Sequence, residues 1–198
     1  MEIEVRLKIG QAGEPVLRQV TRALTAREIV SAEIQGLIVQ MRETMHDAPG
    51  VGLAAPQVGF SLQLAVIEDK EEYLKDIPRE QLEERERRPI PFQVIINPRI
   101  EVMTDATVEF FEGCLSLAGF SALVPRARSV RVECLDERGQ RKLIEASGWY
   151  ARILQHEIDH LGGKLYIDRM RSRSFTSLDN WTRFWKDKPV SDVRTAFS

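Results

Sequence analysis

The chain has 198 residues, 43% of them hydrophobic, with 28 Lys and Arg against 30 Asp and Glu, three His and two Cys. That size and apolar content suit a single domain, residues 1–198, with a sizeable core, while a net charge of −2 excludes a polybasic nucleic-acid binder. No apolar run approaches the roughly 18 residues of a membrane span, two cysteines are too few for a disulfide scaffold, and no internal repeat is seen.

The first ten residues carry neither a secretory pattern nor a Ser- and Arg-rich leader, so the expected location is cytoplasmic, or organellar only if a transit peptide has been removed. Residues 25–46 place Ile34, Leu37, Ile38, Met41 and Met45 at spacings of three and four. That spacing predicts an amphipathic N-terminal helix ending before Pro49 and packing on a sheet. His46, at its end, is assigned no function.

Gly50-Val51-Gly52-Leu53-Ala54-Ala55-Pro56-Gln57-Val58-Gly59 follows, small and apolar with one uncharged amide. Small residues let the backbone approach a ligand, and an amide can donate to a developing oxyanion without titrating. No Lys-Ser or Lys-Thr follows the glycines, so this is not a phosphate loop.

Strands are expected at 62–68, 92–97, 100–111, 121–124, 130–135 and 141–145. Without βα alternation they favour an α+β fold with largely antiparallel sheets. Between the first two lies 70–88, with six basic and seven acidic side chains, read as a solvated, partly helical insertion.

Cys114 stands in Glu112-Gly113-Cys114-Leu115-Ser116, beside a glycine that permits close backbone approach. Cys134 lies in an alternating apolar run and reads as a buried inert thiol. Further on, Trp149, Ile153, Leu154, Ile158 and Leu161, bounded by Gly148 and Gly162-Gly163, predict a central helix of about 13 residues with one buried side. It carries His156-Glu157-Ile158-Asp159-His160, whose two imidazoles share a helix face and point inward with Glu157 beside them. A catalytic metal centre usually takes a third protein ligand and leaves a position for water, and Cys114 is the choice. The remaining segment, 164–198, has eight Lys or Arg against four Asp and contains Trp181 and Trp185. It is expected to be a tail extension that covers the body.

GVGLAAPQ, EGCLS and HEIDH, in this order, resemble the peptide deformylases, which remove the formyl group from the N-terminal formylmethionine of new polypeptides. The similarity runs from about residue 7 to 175 and includes ALVPR at 122–126 and SGWYARILQHEIDHLGGKLYIDRM at 147–170. The GF after EGCLSLA and the ASGW before the helix are most similar to the type I subgroup found in plant and animal organelles and some bacteria.

The resemblance implies sheets packed around the HExxH helix. It also implies one divalent metal held by Cys114, His156 and His160, with Fe2+ as the working ion and Zn2+, Ni2+ or Co2+ also accepted. Water attacks the formyl carbon, the oxyanion is met by the metal, the Gln57 amide and the Leu115 N–H, and Glu157 carries the proton to the leaving amine. Glu112 and Arg126 match a buried ion pair supporting the Cys114 loop. Val51, Phe110, Trp149 and Ile153 match the methionine slot, with Gly52 and Gly113 offering backbone to the peptide. Where many bacterial relatives carry an arginine, seven residues after the cysteine, this chain has Ser121. The implied partners are N-formylmethionyl nascent peptides; a contact of the basic tail with ribosomal RNA is the weaker reading, and no DNA or membrane partner is implied. A zinc endopeptidase would need a further ligand downstream, but no histidine follows His160. A closed structural metal centre would need a fourth ligand, for which Cys134 is the only other thiol.

Overall fold

A computed structural model describes residues 6–48 and 50–197. The first helical region is two helices rather than one, α1 (Ala26–Ile29) and α2 (Ala32–Asp47). Thr25 and Glu28 form a capping box on α1, and the Ser31 hydroxyl accepts from the Ile34 N–H to start α2 anew. Helix propensity in the sequence does not reveal a second cap inside an apolar stripe. Helix α2 ends at Asp47; Pro49, the expected stop, lies outside the described residues.

The described strands are β1 (Gly52–Ala54), β2 (Leu64–Asp69), β3 (Ile90–Val102), β4 (Thr107–Glu112), β5 (Phe120–Ala127), β6 (Ser129–Leu135), β7 (Arg141–Ser147) and β8 (Thr176–Ser177). They form a five-stranded sheet, β1-β2-β3-β6-β7, and a three-stranded sheet, β4-β5-β8, paired antiparallel throughout. The fold is thus α+β. The strands expected at 92–97 and 100–111 are divided differently. β3 continues through an irregularity at Asn97, which sits at φ +51° and clasps Leu24 with its amide, accepting at 2.9 Å and donating at 2.7 Å. The chain then breaks after Val102, and residues 107–112 join the other sheet. One apolar stretch therefore serves two sheets.

The large sheet is covered on both faces, which is why β2 reads as a continuous apolar run. Leu64 and Val66 face α2 together with Leu53, Val94 and Ile96; Ala65 and Ile67 face the opposite core with Ala54 and Ile95. That second core is filled by the helix α4 (Gly148–Leu161) through Ala151, Ile153, Leu154 and Leu161. Helix α4 also touches β5, so it lies between the two sheets.

Its start is fixed by the charged insertion, which is solvated and partly helical as expected, with Leu74 its one buried residue. That segment includes α3 (Arg79–Glu84), and Arg87 makes a two-point ion pair with the buried Asp69 at 2.8 and 2.9 Å. The Arg85 carbonyl accepts from the Trp149 N–H, and at Gly148, φ +58°, a Cβ would lie 2.7 Å from that same oxygen. Only glycine fits there.

The C-terminal segment adds β8 to the free edge of β5, then α5 (Leu178–Phe184) and α6 (Val190–Ala196). Trp181 meets the edge of Phe111 at 6.3 Å, whereas Trp185 packs within the segment on Phe197 at 4.9 Å. Arg169 pairs with Asp159, and Arg171 and Arg194 with Glu109. No helix among the described residues is long and apolar enough to cross a membrane.

Candidate active site

Two adjacent stripes of α4 build the site. Arg152, His156 and His160 recur at intervals of four on one stripe, and Trp149, Ile153 and Glu157 on the next. The first stripe faces the turn that leaves β4, where Cys114 follows Gly113, and the Cys114 thiol lies 3.4 Å from His160 Nε2. One donor atom from each of Cys114, His156 and His160 falls within 4.8 Å of the others.

These donors fit a metal. Bonds of about 2.3 Å to sulfur and 2.0–2.1 Å to nitrogen, at a tetrahedral angle, put the two ligand atoms roughly 3.5 Å apart, close to the Cys114 to His160 separation. Glu112 accepts from His156 Nδ1 at 3.0 Å, which leaves Nε2 for the metal side. Burial, then the neighbouring His156 and Arg126, push His160 well below the ordinary imidazole range, toward the neutral form a ligand must take. Burial opposes a charge on His156, but the Cys114 sulfur and the Glu112 carboxylate outweigh it and raise its basicity.

Glu112 is the hub of this network. Arg126 holds both of its oxygens at 2.9 Å, and Arg152 reaches it at 2.6 Å. Burial alone would raise its pKa, yet Arg126 and His156 hold it well below the usual carboxylate range. Asp159 closes the other side, ion-paired with Arg126 and bonded to Arg169. The expected Glu112–Arg126 pair is thus one bond of a larger buried cluster. Sequence reading missed Arg152 and Asp159; a lone arginine four residues before the first ligand, inside an apolar stripe, was the available signal.

Glu157 is 4% exposed, and its Oε2 has no hydrogen-bond partner among the described residues. Burial pushes its pKa up to about 7. It lies against the strand β1 so closely that a Cβ on Gly52 would come within 2.2 Å of its Oε1. Gln57 is equally well fixed: its Oε1 accepts from the Ala54 N–H at 2.8 Å, so its Nε2 turns toward Ser116 Oγ at 3.2 Å and Cys114 Sγ at 3.5 Å. Leu115 follows the cysteine at the start of a short 3-10 turn.

A cavity of about 460 Å³ opens over these groups, within the size range of small-molecule sites. Val51, Gly52, Gln57, Gly113, Cys114, Leu115, Trp149, Ile153, His156 and Glu157 all line it. Phe110 does not. Phe110 stays on the α4-facing side of β4 that it shares with Glu112, edge-on to Trp149 at 6.4 Å and under the Arg152 guanidinium at 5.2 Å, while Glu112 and, from the opposite face of the strand, Phe111 line the cavity. His160 is buried beneath the cavity, and His46 is elsewhere, bonded to Glu68 at 2.5 Å. Cys134 is buried on β6, its thiol pushed up to about 11 by desolvation.

Comparisons with known proteins point one way. The family described as polypeptide deformylase has a sequence model that matches residues 6–175. A chloroplastic peptide deformylase 1A of Solanum lycopersicum is 46% identical over 172 residues, which are 87% of this chain and 62% of that protein. Peptide deformylase 1 of Bifidobacterium longum is 46% identical over 187 residues, 94% of this chain and 83% of its own length. Among solved structures, a class I type b peptide deformylase of Acinetobacter baumannii with Met-Ala-Ser bound superposes with a TM-score of 0.75 at 31% identity, covering 85% of this chain and all of that one. The chain spans less than two thirds of the plant relatives it matches, 62% in tomato and 64% in Arabidopsis thaliana.

Proposed function

Since this chain belongs to the polypeptide deformylase family, we propose that it hydrolyses the formyl amide of N-formylmethionyl peptides, releasing formate and a free amino terminus. The reading rests on one observation: a thiol and two imidazoles converge beside a buried carboxylate oxygen that has no partner among the described residues.

A single bound divalent cation, Fe2+ in this proposal with Zn2+, Ni2+ or Co2+ as substitutes, supplies Lewis-acid activation of water and of the formyl carbonyl. The chain's own residues do the rest. Cys114, His156 and His160 hold the ion, and Glu112 keeps the His156 Nδ1 proton in place so that Nε2 is free to bind. Glu157 takes the water proton at Oε2 and returns it to the departing nitrogen. Its burial beside the cavity, with Oε2 unbonded among the described residues, leaves that oxygen open to take a proton and give it back. Gln57 Nε2 and the Leu115 N–H donate to the oxygen that becomes negative, and the Ala54 contact keeps the Gln57 amide from turning.

Val51, Trp149 and Ile153 receive the methionine side chain, with Phe110 packed edge-on behind Trp149. β1 and β4 are edge strands of their sheets, so backbone near Gly52 and Gly113 can pair with an extended peptide. The Acinetobacter relative carries Met-Ala-Ser, which suggests the same tripeptide here. Free thiols at Cys114 and Cys134 suit a reducing compartment, cytoplasm or organelle matrix. Of the tail's eight basic side chains, Arg169, Arg171 and Arg194 pair with carboxylates of the body, so a contact with ribosomal RNA, the weaker reading, falls mainly to the others.

Anaerobically purified protein loaded with Fe2+ should release formate from formyl-Met-Ala-Ser without cutting its internal peptide bonds. Cleavage between Met and Ala, or no formate with a full complement of metal, would overturn the assignment.

A further inference from the structure

The cavity extends past the methionine slot. At about 460 Å³ it far exceeds what four side-chain heavy atoms fill, roughly 120 Å³ at the packing of liquid water. Its far wall is apolar and consists of Phe111, Leu117, Phe120 and Leu178. Leu178 comes from the C-terminal segment, beyond residue 175 where the family match ends.

That segment is held in place. Thr176 and Ser177 pair with Ser121 and Phe120, the Leu178 N–H donates to the Gly119 carbonyl at 2.9 Å, and Ser177 caps α5 through Asn180. Ser121 is small enough to be buried, and its hydroxyl donates to the Glu112 carbonyl at 2.9 Å, so β8 can lie directly over it. Phe175 stacks on Phe120 at 5.0 Å, and Trp181 braces Phe111. Phe120, Phe175 and Leu178 nevertheless remain 41–44% exposed, a cluster of large apolar side chains at the rim of a site. Such clusters mark binding surfaces.

We propose that this C-terminal wall is a specificity-determining surface, with Leu178 as its main contact, which favours apolar side chains at the second and third residues of the formylated peptide. The inference rests on the deformylase reading. The occupant follows from continuity: the wall lines one cavity with Cys114 and His156, so a peptide anchored by its formylmethionine extends its next residues along Phe120 and Leu178. The wall carries no charged side chain, so it offers nothing specific to a polar substrate residue.

The test measures kcat/KM for formyl-Met-Leu-Phe and formyl-Met-Ser-Ser with wild type, Leu178→Asp, Trp181→Ala and, as a control, Leu143→Ala on the distant strand β7. Wild type should prefer the apolar peptide about tenfold, the order expected from burying one or two apolar side chains. Leu178→Asp should bring the ratio near one, mainly through KM. Trp181→Ala, which leaves Leu178 present but unbraced, should lower the ratio by a smaller factor, and the control should keep it. Unchanged thermal melting of the variants separates this from misfolding. Equal use of both peptides by the wild type, or a ratio insensitive to Leu178→Asp, overturns the wall while formate release upholds the deformylase reading. No formate from either peptide with metal-loaded wild type overturns both.

Discussion

Gly52→Ala should cripple turnover without emptying the metal site. An alanine Cβ at this position would lie 2.2 Å from Glu157 Oε1 and 2.6 Å from Cδ. Restoring an ordinary 3.4 Å contact moves the carboxylate by about 1.2 Å. The atoms met, which include Cγ at 2.9 Å, all belong to one side chain and none to backbone, so the fold can accept the change by turning Glu157 aside. The proton acceptor, however, is no longer where the water must be, and a misplacement of about 1 Å costs on the order of 100-fold, or about 2.7 kcal/mol of barrier. We expect kcat/KM for formyl-Met-Ala-Ser to fall about 100-fold with metal content per chain unchanged, since Gly52 touches no ligand. Glu157→Gln, which removes the acceptor altogether, should fall at least as far. In the double variant the Gly52→Ala penalty should largely vanish, because nothing is left to displace. Full additivity of the two losses, or a Gly52→Ala enzyme within threefold of wild type, would refute the view that β1 positions the base.

Gln57→Glu should preserve the Ala54 contact yet place an acceptor where a donor is needed, with a loss of about 100- to 1000-fold in kcat read by formate release. Glu112→Gln leaves Arg126, Arg152 and His156 facing a neutral amide. Chelator competition should reveal metal affinity weakened about 10- to 100-fold and thermal melting a clear loss of stability. Cys114→Ser should lose the metal under the same competition, whereas Cys134→Ser should retain it, as an open three-ligand centre requires. In metal-free protein the Glu157 carboxyl, ordinarily near 4.5, is raised to about 7, so its contribution to stability is complete below about pH 4.5 and disappears as pH climbs through 7. A buried Glu157 charge at pH 8 then costs up to about 3 kcal/mol, and Glu157→Gln should raise the melting temperature of the metal-free protein at pH 8 more than at pH 5; an equal shift at both would contradict this.

The sequence alone determined what local rules can carry. The 3.6-residue period placed His156, Glu157 and His160 on one buried side of a helix, the alternation of residues 130–135 gave a strand, and the glycine beside Cys114 marked a close approach. Elements set by competition between neighbours were not legible. Ser31 restarts a helix that propensity alone would run through, and residues 100–111 divide between two sheets because their partners, β6 and β5, lie in different layers. Strand parity turned Phe110 and Glu112 toward α4 and Phe111 toward the C-terminal segment, a division that only the packing of β4 between the two decides. The buried cluster of Glu112, Arg126, Arg152 and Asp159, and the wall contributed by Leu178, join residues far apart in the chain. Such long-range contacts leave no periodic trace, since each depends on where the whole backbone brings the charge or the methyl group, so tertiary structure alone decides them.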